Sequence, residues 1–115
     1  MCGIFGYTGA FPAAPFVKQG LIDLTYRGYD SAGIAAQNGR TVTVKKGVGS
    51  ITAVKGIEEL LGTCAIGHTR WATHGAVCEK NAHPFTVGEF TVVHNGIIEN
   101  FRPLKHILTE DGFTI

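Results

Sequence analysis

The sequence lacks most of the features that would send it to a membrane, a nucleic acid or the cell exterior. No run of 18 apolar residues occurs in its 115 positions, so it offers no candidate for a membrane-spanning helix. No positively charged stretch precedes an apolar one at the start, and a secretory signal is not expected. Charge of one sign is scarce too: ten Lys and Arg against nine Asp and Glu leave a formal net charge of +1. The basic residues are scattered, without the patch that follows a phosphate backbone, so no nucleic-acid partner is expected. Three cysteines, an odd number with nothing secretory around them, fit a reducing compartment better than a disulfide framework. Cytoplasm is the expected location. Internal repeats, linkers and low-complexity segments are also missing, and the length leaves room for one domain with a modest core.

What is present is an ordinary globular composition, 44% hydrophobic and 17% charged, unlike that of a disordered chain. Sixteen glycines are about twice the average usage of ~7%, as expected of tight turns or of backbone that lets something approach closely. Residues 2–8 read as a short strand. Phe16, Val17, Gly20, Leu21 and Leu24 recur at helical spacing after Pro15. Residues 32–37 read as a buried strand, Asn38-Gly39 as a type I′ hairpin turn and 40–46 as the alternating return strand. Ser50 is placed to cap a helix bearing Ile51, Val54, Ile57 and Leu61, weakened by Gly56. A strand over 63–68, an irregular stretch 69–84, a strand over 90–94 and a final helix from about Asn100 to Asp111-Gly112 complete the order. Residues 113–115 look like the start of another strand. The expected class is α+β, in layers, and stopping on an apolar strand start reads as truncation.

Four stretches carry groups that could do chemistry. Cys2 stands directly behind Met1; once Met1 is removed, thiol and α-amine share one Cα, so nucleophile and base come as a unit. The alternative is a small hydrophobe packed in a first strand. In His68-Thr69-Arg70-Trp71-Ala72-Thr73-His74-Gly75, Arg70 offers a planar fork for a carboxylate, Thr73 and His74 hydrogen bonds, and Trp71 an apolar wall. Alternatively Arg70 pairs with a local acid and Trp71 is core. Asn95-Gly96 combines a side-chain amide with a glycine N–H, two donors suited to a developing oxyanion, or is a plain turn. Tyr26-Arg27-Gly28-Tyr29-Asp30-Ser31 is polar and dense, and a local Arg27–Asp30 pair would account for it equally well. Cys64, His68, His74 and Cys78 do not match the paired short spacings of structural zinc. Cys64 is expected in the core, Cys78 and His83 in loops, and His106 on the surface.

Taken together, Cys2-Gly3-Ile4, the stretches 26–33 and 67–75, Asn81-Ala82-His83-Pro84 and 94–100 resemble the glutamine amidotransferases of the N-terminal-nucleophile class, in family order along essentially the whole chain. Within that class the wording of 26–31 and 70–75 is similar to the glutamine–fructose-6-phosphate aminotransferases; the phosphoribosylpyrophosphate amidotransferases and asparagine synthetases differ there. The resemblance implies a four-layer αββα sandwich, with residues 1–115 forming part of the glutaminase domain and its second half and the isomerase domains absent. It implies that Cys2 attacks the side-chain amide of L-glutamine and that Asn95 and Gly96 hold the oxyanion. Arg27 would stand near the nucleophile, and Arg70 would grip the substrate carboxylate with Thr73 and His74 beside it. Trp71 would lie on the ammonia route toward fructose 6-phosphate, which other domains would bind. No metal or organic cofactor is implied, and a homodimer is a property of the full-length form.

Overall fold

The structure is a computed structural model that describes residues 2–27, 29–71 and 76–114; the Arg27 side chain lies outside the description. Eight regular elements are found there: β1 (Gly3–Thr8), α1 (Ala13–Asp23), β2 (Ser31–Asn38), β3 (Thr41–Val48), β4 (Cys64–Arg70), β5 (Phe85–Val87), β6 (Phe90–Val92) and α2 (Phe101–Glu110). The first four strands make one antiparallel sheet in the order β1-β4-β2-β3, and β5 and β6 form a separate hairpin.

Strand alternation divides the main sheet into two unlike faces. Ala32, Ile34 and Ala36 of β2, with Ala65 of β4, meet Ala13, Ala14, Val17 and Leu21 of α1 in the hydrophobic core. Phe5 of β1 lies against Gly20 of α1, and the Tyr7 ring stacks on Phe16 at 4.8 Å. Close approach here depends on Gly67, where a Cβ would lie 2.6 Å from Val17 Cγ1 and 2.7 Å from Leu21 Cδ1. Ile51, Val54, Ile57 and Leu60 close the same core from below. Ser31, Gly33, Ala35 and Gln37 of β2 and Cys64, Ile66, His68 and Arg70 of β4 take the opposite face. A Cβ on Gly33 would collide with the His83 carbonyl oxygen, so the segment at 83–84 runs directly over that face.

Several expectations need correction. The β2–β3 turn is Gly39-Arg40 rather than Asn38-Gly39: Asn38 pairs with Thr41, and only Gly39 has positive φ, at +63°. Glycine first and an ordinary residue second is the pattern of a type II′ turn. No helix forms over 50–61. Two 3₁₀ turns, Ile51–Ala53 and Ile57–Glu59, flank Gly56 at φ +86°, a left-handed conformation that breaks helical continuity. Leu60 is then buried in place of Leu61, which is 66% exposed. β4 runs two residues beyond the expected strand and carries Thr69 and Arg70. The strand over 90–94 shrinks to β6, and β5 is an addition. Phe113 and Thr114 are not in a strand. α2 starts and ends as expected, with Gly112 at φ +92° beyond its end. None of its residues is buried, and Phe101, Leu104, Ile107 and Leu108 are all exposed. Among the described residues no helix is long and apolar enough to cross a membrane.

Candidate active site

The register of β1 on β4 decides what surrounds Cys2. Gly3 pairs with Thr69, so the residue before Gly3 arrives beside Arg70 and Trp71 at the end of the sheet. There the Trp71 backbone N–H donates to Cys2 Sγ at 3.4 Å, and the thiol lies 3.8 Å from the Trp71 carbonyl oxygen, which can accept its proton. Cys2 is half-buried. The indole beside it is 52% exposed, so Trp71 is not core. The 3₁₀ turn Thr25–Arg27 follows α1, and the Leu24 side chain packs over Gly3, bringing this connection to the same end of the sheet.

Arg70 is 8% exposed, on the face opposite α1. Its Nη1 donates to the Ala76 carbonyl at 2.9 Å, and its own carbonyl accepts the Asp30 N–H at 2.7 Å. Asn81 Nδ2 donates to the same Ala76 carbonyl at 2.9 Å, tying the loop after 75 to the guanidinium. Asn95 arrives from the far side. Its Nδ2 donates to the Cys2 carbonyl at 2.9 Å across 93 residues of sequence. A side-chain amide nitrogen carries two hydrogens, so this bond leaves the second for another acceptor near Cys2. Gly96 follows at φ +149°, a conformation that a side chain would strain.

Around this group lies a layer of imidazoles. His68 is fully buried on β4, its Nε2 3.0 Å from the His94 carbonyl. Its ring stacks on that of His83 at 4.1 Å, and the His94 N–H donates to His83 Nδ1 at 3.3 Å. Burial, followed by the positive field of His83, Arg70 and His94, lowers the His68 pKa from 6.5 to about 4, although its bond to the His94 carbonyl works the other way. His83 is also held below its ordinary value, first by burial and then by Arg70, His94 and Lys46. Lys46 of β3 donates to the carbonyls of Ala82 (2.8 Å) and Pro84 (3.1 Å) and lies 4.6 Å from the Phe85 ring centroid. Burial lowers its pKa too, against the attraction of Glu79.

Of the residues singled out in the sequence, Cys2, Arg70, Trp71 and Asn95 come together, with Gly96 adjoining. Thr73, His74 and the Arg27 side chain lie outside the described residues, as does any Arg27–Asp30 pair. His83 lies in a loop, as expected, and is half-buried against His68. Sequence reasoning missed Lys46, whose position in an alternating edge strand looks like a solvated one. Cys64 is not core: it is half-buried and lines an open cleft with Gln37, Ile66 and Phe90. That cleft is remote from Cys2, because Cys64 pairs with Thr8 at the other end of β1. His106 is exposed, as expected, and lies 3.1 Å from Glu110.

Comparison with known proteins decides the family. The chain is 48% identical, over 98% of its length, to a glutamine–fructose-6-phosphate aminotransferase of Caldanaerobacter subterraneus. It is 52% identical, over 97% of its length, to that of Pyrococcus horikoshii. The chain belongs to this aminotransferase family. It spans only about a fifth of the length of these relatives, 19% and 20%. No family model matches the chain. Solved structures show the same N-terminal-nucleophile fold. The glutamine phosphoribosylpyrophosphate amidotransferase of B. subtilis, complexed with ADP and GMP, aligns with a TM-score of 0.83 and 32% identity over 100% of this chain and 26% of that one. A structure described as the allosteric regulatory enzyme of purine biosynthesis aligns at 0.86 and 33%, with the same coverage of both chains. The α+β class is therefore that of these N-terminal-nucleophile folds, with α1 and the four-stranded sheet as two of its layers.

Proposed function

We propose that this chain is the nucleophile-bearing part of a glutaminase domain that hydrolyses L-glutamine to glutamate and ammonia. The observation that carries the reading is the Asn95 amide held 2.9 Å from the Cys2 carbonyl, because it brings an oxyanion donor to a nucleophile 93 residues away. Removal of Met1 frees the Cys2 α-amine. That amine, through a water, takes the thiol proton while sulfur attacks the amide carbon of glutamine. The carbonyl oxygen becomes an oxyanion received by the Asn95 amide and the Gly96 N–H. Collapse expels ammonia, which carries off the proton, and leaves a γ-glutamyl thioester. Water then cleaves the thioester, giving glutamate and restoring the thiol. Arg70 receives the substrate carboxylate, with Thr73 and His74 beside it; Arg27 stands near the nucleophile, and Trp71 borders the route by which ammonia leaves.

The ammonia serves the conversion of fructose 6-phosphate to glucosamine 6-phosphate. The second half of the glutaminase domain, including an aspartate for the substrate amine, and the isomerase domains lie outside these 115 residues. The full-length protein works in the cytoplasm as a homodimer. Identities near 50% to the aminotransferases, against 32–33% to the structural neighbours, favour this acceptor over phosphoribosylpyrophosphate.

The test is covalent trapping with an electrophilic glutamine analogue, followed by peptide mapping. Label is expected on Cys2 and not in Cys2→Ser, and N-terminal sequencing is expected to start at Cys2. Label on Cys64 or Cys78, or a retained Met1, overturns the reading.

A further inference from the structure

We infer that His68 and His83 clamp the His94 peptide from both sides and so position Asn95 over Cys2. The catalytic consequence rests on the glutaminase reading; the clamp itself rests on geometry alone. His94 belongs to no strand or helix, and neither it nor Asn95 has a backbone–backbone hydrogen bond among the described residues. Its two peptide groups are instead held by imidazoles. His68 Nε2 serves the carbonyl at 3.0 Å, and His83 Nδ1 accepts the N–H at 3.3 Å. Asn95 is the next residue, so a shift of this peptide moves the amide that meets Cys2.

Each ring is fixed independently of the segment it holds. His68 is fully buried on the central strand β4, two residues before Arg70. His83 is stacked on it at 4.1 Å and meets Phe85 edge-on at 4.6 Å, while Lys46 grips the carbonyls on either side of it. The arrangement requires one proton pattern. His68 must carry its proton on Nε2 to donate to the carbonyl, and His83 must keep Nδ1 unprotonated to accept. Charging His83 would abolish the acceptor and set a cation among Arg70, His94 and Lys46. Both rings thus act as neutral positioning residues, with no contact to the reacting atoms required.

The test pairs each loss with a chemically conservative replacement in the full-length protein. His83→Leu and His68→Leu remove the two contacts. His83→Asn returns an acceptor near the Nδ1 position, and His68→Gln a donor near the Nε2 position. Glutamine turnover is expected to fall about 10- to 100-fold in the leucine variants, with KM within about twofold, since a misplaced oxyanion donor costs turnover rather than binding. The Asn and Gln variants are expected to recover most of it. Alkylation of Cys2 by iodoacetamide, which needs no oxyanion donor, is expected to be unchanged. In the wild type, imidazole nitrogen NMR is expected to find both protons on Nε2. A proton on Nδ1 of His83, or wild-type turnover in folded leucine variants, overturns the clamp. Failure of the glutamine analogue to label wild-type Cys2 overturns the glutaminase reading alone, and the NMR result still decides the clamp.

Discussion

The two sides of the candidate site are held by different kinds of force. Cys2 is delivered by a strand: β1 is locked by its register on β4, and α1 seals the sheet beneath it with Val17 and Leu21 fully buried. Asn95 is delivered by a segment without regular structure, tied by single hydrogen bonds to Cys2, His68 and His83. Farther along, α2 has no buried residue at all. Burial of apolar surface contributes about 25 cal/mol per Å² and accumulates over a core, whereas one hydrogen bond contributes only about 0.5–1.5 kcal/mol net. Cys2 therefore sits on the firm side of the candidate site, and Asn95 on the side that a single substitution can loosen.

That contrast can be broken at graded strengths. The largest effect is expected at Asn95. Asn95→Ala should lower glutamine turnover about 10²- to 10³-fold with little change in KM; steady-state kinetics of ammonia release checks it, and an equal loss in binding alone would remove the oxyanion role. Next comes the firm side. Gly67→Ala puts a methyl against Val17 and Leu21 and should cost about 1–3 kcal/mol in urea unfolding. A neutral result would mean that α1 is free to move off the sheet.

Acid should discriminate the two sides as well. His68 titrates near 4 when folded and near 6.5 when unfolded, so the unfolded chain binds more protons between those values. Stability is fully present above about pH 6.5 and declines as pH falls toward 4. His83, lowered in the same direction, adds to the decline, while Arg70, His94 and Lys46 supply the surrounding positive charge. Urea midpoints measured from pH 7 to 4.5 should fall, and His68→Gln should flatten the slope. The smallest change is expected on α2, where Leu104→Ser should stay within about 0.5 kcal/mol because the side chain is 42% exposed.

Legibility in the sequence followed the same division. β1, α1, β2, β3 and β4 could be read because period and turn residues are local signals, and the missed extent of β4 was two residues. The β5–β6 hairpin was legible in principle: Phe-Thr-Val, Gly88-Glu89, Phe-Thr-Val is two identical strand words around a glycine-first turn with Gly88 at φ +59°. The stretch 50–61 misled because its apolar spacing fits a helix while Gly56 adopts the one conformation that stops it. At the site, residue types could be read and contacts could not. Nothing near Asn95 reveals that its amide meets Cys2, and nothing near His83 reveals that its ring lies on His68. Both contacts join segments far apart in the chain and depend on register and on how the loop crosses Gly33.

The position of β1 at the sheet edge also sets an order of events in time. Among the described residues its partner in the sheet is β4, and Gly3 has to wait for Thr69 to be made. At about 5–20 residues per second, residues 3–8 stay unpaired for seconds before the strand that seats them exists. On the proposed reading, the α-amine of Cys2 is uncovered by cutting behind Met1, and an undocked end is the form of the chain most open to that cut. Placing the proposed nucleophile on the strand that pairs late thus gives such processing its opportunity before Cys2 docks beside Trp71.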